Sequence, residues 1–198
     1  MTDRLVPPAF HPADAAAAAA RFAAEAPADV SYAVLDSPVG ALVAAATPRG
    51  LACLSYEDHH GGVDAVLESL AARLSPRILE APARLDDIRR ELDEYFERRR
   101  THFDVRIDWA LVSPFGRRVL EATAGIPFGE VSTYGQIAAQ AGNPKAARAT
   151  GNALGGNPMP IVVPCHRVLH TNGRDIGRYT GGVHRKEALL RLEGVLLG

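Results

Sequence analysis

Cys165, His166 and Arg167 stand side by side in a 198-residue chain, behind a stretch stiffened by proline: Asn157-Pro158-Met159-Pro160-Ile161-Val162-Val163-Pro164. The thiolate is the reactive form of cysteine, and an ordinary thiol with a pKa near 8.5 is only about 3% thiolate at pH 7. An adjacent imidazole and guanidinium make an electropositive setting, and a shift to about 6.5 would make roughly three quarters of the sulfur reactive. The apolar run Ile161–Val163 predicts a short buried strand that delivers Cys165 at its end. Cys53 lies inside an apolar segment with no basic neighbour, the setting of an inert packed thiol.

A Cys–His pair also suits a protease or an acyl transferase. No Gly-rich oxyanion loop precedes Cys165, which argues against both. Two cysteines supply neither a disulfide framework nor a four-thiolate zinc site. His59-His60 follows Glu57-Asp58 with no cysteine nearby and reads as a solvated loop, so no metal is expected.

The segment leading into the cysteine reads as two short helices. Thr133 and Gln136 have the spacing of a capping box. The helix they start runs to Ala141, where Gly142 is suited to a left-handed C-cap. Asn143 is then expected to cap a second helix over Lys145–Leu154, with Pro144 in its first turn and Gly155-Gly156 at its end. Such a pair resembles a helix-turn-helix. The second helix carries Ala146, Ala147, Ala149, Thr150, Gly151 and Ala153, with Lys145 and Arg148 its only cations. Small side chains permit close backbone approach, either inside a core or in a narrow place such as the minor groove. Reading the major groove usually takes longer polar side chains.

Elements that could support this segment lie upstream. Val30–Asp36, Ala41–Thr47 and Leu51–Tyr56 are separated by Ser37-Pro38-Val39-Gly40 and Pro48-Arg49-Gly50, the pattern of a β-meander. Val63–Leu74 and Leu85–Phe96 have apolar residues at helical spacing. His102–Asp108 alternates Phe103, Val105 and Ile107 with polar residues, predicting a half-buried strand. This first part is a small α+β module in which nothing looks catalytic. Phe115–Ala124 predicts a helix ended by Gly125-Ile126-Pro127, and the boundary between halves falls near 109–113.

The net charge of −1 hides an asymmetry. Residues 1–112 hold 12 Lys+Arg against 18 Asp+Glu, whereas residues 113–198 hold 10 against 5. A basic C-terminal half suits a polyanionic partner. No stretch reaches the roughly 20 apolar residues of a membrane span. The Ala15–Ala20 run is flanked by Asp14 and Arg21, unlike a secretory signal, and reads as a short helix in a cytoplasmic protein.

Several blocks together resemble the O6-alkylguanine-DNA alkyltransferase (methylated-DNA–protein-cysteine methyltransferase) family. They are Asn143-Pro144-Lys145-Ala146-Ala147-Arg148-Ala149, Gly156-Asn157-Pro158, Pro164-Cys165-His166-Arg167-Val168 and Tyr179-Thr180-Gly181-Gly182, continued by Lys186, Leu189-Leu190 and Glu193-Gly194. The match covers essentially all of 113–198. The first half resembles the family's N-terminal domain more loosely, through Asp36-Ser37-Pro38-Val39-Gly40, Gly50-Leu51 and Tyr95-Phe96.

The resemblance implies an α+β fold: an N-terminal extension over 1–29, a ribonuclease-H-like module over 30–108, and a mostly helical domain over 113–198 with the helix-turn-helix and the cysteine loop. It implies single-turnover DNA repair, in which an alkyl group passes from O6-alkylguanine, and also O4-alkylthymine, to Cys165 after base flipping. His166, through a water held by Glu193, takes the thiol proton, and Tyr134 holds and protonates the flipped base. Arg148 fills the vacated stack, while Tyr134, Lys145, Ala147, Ala149 and Gly151 meet the minor groove of double-stranded DNA. Asn157 ties this helix to the cysteine loop. Leu154, Pro160, Val168, Tyr179, Thr180 and Gly181 line the base pocket. The implied protein is a monomer without cofactor or membrane partner.

Departures from the pattern are a loop longer by one residue around Arg174-Asp175-Ile176-Gly177, Thr180 where Ser is frequent, and Gly116 where Gln is usual. Gly181 leaves the expected pocket mouth without a side chain, which implies room for an alkyl group as large as benzyl. The competing readings are a non-enzymatic lesion sensor, which would lack the cysteine; a transcriptional regulator, which would need an extra four-cysteine zinc module; and a Cys–His hydrolase, which would turn over repeatedly.

Overall fold

The computed structural model describes residues 28–59, 61–170 and 176–196. The expected Ala-rich helix, His60 and Arg174-Asp175 of the lengthened loop lie outside the described residues.

Strands β1 (Val30–Leu35), β2 (Leu42–Thr47) and β3 (Gly50–Tyr56) form the antiparallel meander. A fourth strand, β4 (Ile78–Glu80), lies parallel to β1, giving the order β3-β2-β1-β4. Helix α1 (Gly62–Arg73) covers one face of the sheet, where Val66 and Leu70 pack with Val30, Val43, Ala45 and Cys53. Alternate residues of the same strands, among them Leu42, Ala44 and Leu54, point to the other face, as the two-residue period of a strand demands. There they meet Ile88, Leu92 and Tyr95, the apolar stripe of helix α2 (Asp86–Phe96).

That second face also joins the C-terminal half, because Leu120, Ile137, Val163, Cys165 and Leu189 belong to the same cluster of buried residues. The C-terminal half contains α3 (Pro114–Ala124), α4 (Tyr134–Gln140), α5 (Ala147–Gly155) and α6 (Val183–Leu192). Ser113 caps α3 by accepting from the Gly116 amide at 3.1 Å. Strand β5 (Ser132–Thr133) pairs in parallel with β6 (Val168–Leu169), bringing the start of α4 beside the cysteine loop. The Leu54 amide on β3 donates to the Pro158 carbonyl at 2.7 Å, so the sheet edge also holds the chain that leads to Cys165.

Three sequence expectations are corrected. His102–Asp108 is not a strand; it makes one isolated parallel bridge, Leu51 to Ile107, although Phe103, Val105 and Ile107 are half-buried as their alternation implied. In that parallel register the residues before Ile107 run alongside the β2–β3 turn rather than a strand, and after it the Asp108 carboxylate accepts from the Ala110 amide at 3.0 Å. Asn143 does not cap the second helix. Its carbonyl accepts from the Ala146 amide at 3.0 Å in a turn, and the helix begins at Ala147. Ile161–Val163 is buried but turned, with Ile161 at φ 75° and the Val163 amide donating to the Met159 carbonyl at 2.9 Å. Pro160 and Pro164 bracket the run without N–H donors, which removes the ladder a strand would need.

Candidate active site

Cys165 opens a single 3₁₀ turn, Cys165–Arg167, directly behind Pro164. The side chain of Asn157, just after α5, holds this loop in shape. Its amide donates to the Val163 carbonyl at 2.9 Å and to Sγ of Cys165 at 3.1 Å, and its oxygen accepts from the Met159 amide at 3.0 Å. The sulfur is mostly buried, yet it forms part of the wall of a cavity of about 320 Å³. Tyr134, Gly151, Leu154, Gly155, Arg178, Tyr179 and Thr180 complete that wall.

The next two residues are buried as well. His166 is fully buried, and Glu193 holds it directly, Oε1 to Nε2 at 2.9 Å, where a water held by Glu193 was expected; its buried Nδ1 makes no hydrogen bond among the described residues. Glu193 ends α6 and is held from three sides. Arg167 donates to it through Nε and Nη2, both at 2.8 Å, and the Tyr95 hydroxyl donates to Oε1 at 2.6 Å. The remaining arm of Arg167 donates to the Ile126 carbonyl at 2.6 Å. Burial alone would raise the carboxyl's pKa, but the donors His166, Arg167 and Tyr95 outweigh it and hold it down at about 2.

The electrostatics of the sulfur correct the sequence expectation. Burial pushes the Cys165 thiol up, against the opposing pull of the Asn157 amide and the Lys186 ammonium. Arg167, which looked like an acidifying neighbour, spends its guanidinium on Glu193 and the backbone. Burial likewise pushes His166 down toward the neutral form, against the pull of Glu193. The resting pair is therefore a neutral thiol beside a neutral imidazole.

Other expected residues distribute as follows. Leu154, Tyr179 and Thr180 line the cavity with Cys165, and Thr180 donates to the Gly155 carbonyl at 2.8 Å. Asn157, Pro160 and Val168 are buried behind it. Gly181 is buried rather than at the mouth: a Cβ built there would lie 2.1 Å from Cε2 of Tyr56. The room once ascribed to its missing side chain is taken by that ring. Lys186 is fully buried and donates to the Val168 carbonyl at 2.7 Å.

A larger groove of about 720 Å³ adjoins the cavity and shares Tyr134, Gly151 and Arg178 with it. Ala147, Arg148, His170 and Val183 form its outer wall. Arg148 is exposed on the first turn of α5, and Lys145, Ala147 and Ala149 are exposed beside it. The Tyr134 ring stacks at a tilt on His170, 5.2 Å between centres, and passes 3.8 Å from the Cβ position of Gly151. The capping box of Thr133 and Gln136 is formed, which fixes Tyr134 as the first residue of α4.

Sequence reasoning missed Tyr95, Tyr56 and Arg178. Tyr95 stood in the apolar α2 stripe and in a block of family resemblance but was given no role at the site, yet a stripe residue with a hydroxyl needs a buried partner. Tyr56 meets the hydroxyl of Tyr179 with its own at 3.0 Å. Nothing in the spacing of Arg178 marks it as a cavity residue. Among the described residues no group of three or more His, Cys, Asp or Glu could hold a metal ion, and no helix is long and apolar enough to cross a membrane.

A cysteine opening into a cavity, with an imidazole–carboxylate pair and a helix pair alongside, fits a protein that reacts through its own sulfur. Comparison with known proteins makes the class specific. Residues 114–195 match the family described as 6-O-methylguanine DNA methyltransferase, DNA binding domain, and residues 30–109 match its ribonuclease-like domain. A methylated-DNA–protein-cysteine methyltransferase of Mycobacterium tuberculosis is 39% identical over 167 residues, spanning 83% of this chain and 92% of its own. A crystal structure of the O6-methylguanine methyltransferase of that organism superposes with a TM-score of 0.71 at 36% identity, covering 85% of this chain and 95% of the other. Its complex with DNA gives 0.70 at 36% identity, covering 83% and 93%. The chain belongs to the methylated-DNA–protein-cysteine methyltransferase family.

Proposed function

We propose that the protein repairs alkylated DNA by moving the alkyl group of O6-alkylguanine, and of O4-alkylthymine, onto Sγ of Cys165 in one irreversible turnover. The observation that carries this reading is the placement of Cys165 on the cavity wall with His166 held on Glu193 behind it. The S–C bond forms as the C–O6 bond breaks. The thiol proton passes by way of water to His166 Nδ1, and the imidazolium that results is stabilised by Glu193. The electron pair of the broken bond stays with O6, and the departing guanine is neutralised by a proton from the Tyr134 hydroxyl, which solvent restores. A thioether is a poor leaving group, so the sulfur is not regenerated.

The alkyl carbon lies inside a duplex, and extruding its nucleotide costs a few kcal/mol. Arg148, exposed on α5, is suited to fill the vacated stack. The short side chains of Ala147, Ala149 and Gly151 let α5 approach the minor groove, with Lys145 on the flanking backbone. Tyr134 crowds the phosphate beside the extruded nucleotide. Leu154, Tyr179 and Thr180 enclose the base, while backbone groups of Cys165, Val168 and Thr180 read its edges; Asn157 and Pro160 shape the loop behind, and Gly181 holds the wall. The DNA-binding and acceptor domain spans 113–198, and the 30–108 module supports it. The protein acts as a monomer, in the cytoplasm and on the nucleoid.

The test is intact-mass analysis after incubation with duplex DNA containing O6-methylguanine. One methyl per protein at Cys165, absent from Cys165→Ala, is the expected result. Repeated turnover, or no transfer, would overturn the proposal.

A further inference from the structure

Oε1 of Glu193 has three partners in two halves of the chain: Arg167, at 2.8 Å, and His166 belong to the cysteine loop, and Tyr95 belongs to the N-terminal module. His166 reaches it at 2.9 Å from the cysteine loop, and Tyr95 reaches it at 2.6 Å from α2 of the N-terminal module. We infer that Tyr95 is a positioning residue for alkyl transfer, through which the N-terminal module sets how strongly Glu193 supports His166 as a base. This inference rests on the proposed transfer to Cys165.

The phenol has no freedom to serve elsewhere. Tyr95 is fully buried, with its ring packed edge-on against Phe96 and Phe128 at 5.3 and 5.9 Å and tilted against Phe103 at 5.4 Å. Such a cage holds the hydroxyl on the carboxylate. A hydrogen bond from a neutral donor withdraws charge from a carboxylate without adding a charge of its own. With the phenol in place, Glu193 attracts the imidazolium less. Without it, the imidazolium is favoured and His166 stays protonated to higher pH.

Four other groups face the pair or stand behind it. Arg167 lies on Glu193, and Lys186 faces the sulfur and the imidazole. Tyr179 stands edge-on to the His166 ring at 6.4 Å, and Tyr56 stands behind it on the Tyr179 hydroxyl. Burial raises both tyrosines, and it raises Cys165 as well. His166, on the same carboxylate oxygen as Tyr95, is the group whose titration reads the change.

The experiment uses the full chain carrying Tyr95→Phe, which keeps the ring and its packing. The rate of methyl transfer from O6-methylguanine duplex is followed by intact mass from pH 5 to 9, and the His166 ring titration is followed by NMR in unreacted protein. The acid limb of the rate profile and the imidazole titration should both move up by about half a unit or more. A second protein with 3,5-difluorotyrosine at position 95, a more acidic donor, should move both down. Superimposable profiles and titrations in all three proteins, or a rate loss uniform with pH, would overturn the role of Tyr95. Failure of the unmodified protein to accept a methyl would instead overturn the proposed function, and the NMR titration would still report on Tyr95.

Discussion

The guanidinium of Arg185 stands 4.3 Å over the ring of Tyr56, joining a helix of one half to the sheet of the other. Its three nitrogens are spent there too: on the Val39 carbonyl at 2.7 Å, the Gly181 carbonyl at 3.0 Å and the Asp58 carboxylate at 2.7 Å. The ring beneath it then fixes Tyr179 through the shared hydroxyl contact at 3.0 Å. One arginine thus ties the cavity wall to the β-sheet. Replacing it by alanine removes a cation–π contact and two backbone hydrogen bonds, together about 2–3 kcal/mol, along with the contact to the exposed Asp58. Urea unfolding of Arg185→Ala should show that loss; a change under about 0.5 kcal/mol would mean the clamp contributes nothing.

The same ring decides what position 181 can hold. A Cβ there would lie 2.1 Å from Tyr56 and 2.9 Å from Tyr179, both parts of fixed rings. Gly181→Ala should therefore destabilise the protein by about 1–3 kcal/mol, the usual penalty of overpacking. Combined with Tyr56→Leu, the same change should cost less than the sum of the two singly. Strict additivity in unfolding experiments would show that the two residues do not compete for this space.

Much of this was legible from local rules, and what escaped depends on chain segments far apart. The capping box of Thr133 and Gln136 and the left-handed Gly142 are written within a few residues, and both formed. The meander was readable because turn residues punctuate it. Strand β4 was not, since three residues carry no period and Ile78–Glu80 become a strand only by pairing with β1. At the site, adjacency pointed to Cys165 and His166 correctly but misjudged their electrostatics. Arg167 is next to the sulfur in sequence, yet its charge is committed to a carboxylate 26 positions away. Tyr95 is 98 positions from Glu193, and no spacing rule connects them.

Glu193 also links the site to acid stability. Its folded pKa of about 2 lies below the ordinary value of 4.5, so the unfolded chain binds the proton more readily. The resulting stabilisation, up to about 3 kcal/mol, is fully present above pH 4.5 and disappears as pH falls through 2. His166 adds to this trend: burial lowers its pKa, so stability declines as pH drops below the ordinary 6.5. Unfolding of the wild type should weaken steeply between pH 4.5 and 2, and Glu193→Gln should flatten that slope while starting from lower stability at pH 7. An unchanged slope in the variant would mean that other carboxylates carry the acid transition.

Arg148 offers the sharpest separation between opening the duplex and performing the transfer. It is exposed in the outer groove, whereas Cys165 lies in the inner cavity beyond Tyr134 and Gly151. A free alkylated base needs no unstacking, so its reaction should not depend on a side chain that fills a gap in the stack. Arg148→Ala should slow methyl transfer from duplex DNA by about tenfold or more, with the reaction of free O6-benzylguanine within about twofold of wild type. Benzyl must also fit a cavity whose wall includes Tyr179, which Tyr56 holds in place. Single-stranded DNA containing O6-methylguanine covers that case, since it presents the methyl lesion without a partner strand to unpair. Equal losses on duplex and single strand would place Arg148 in general phosphate binding instead. The salt dependence of duplex binding would then fall by about one phosphate contact in the variant.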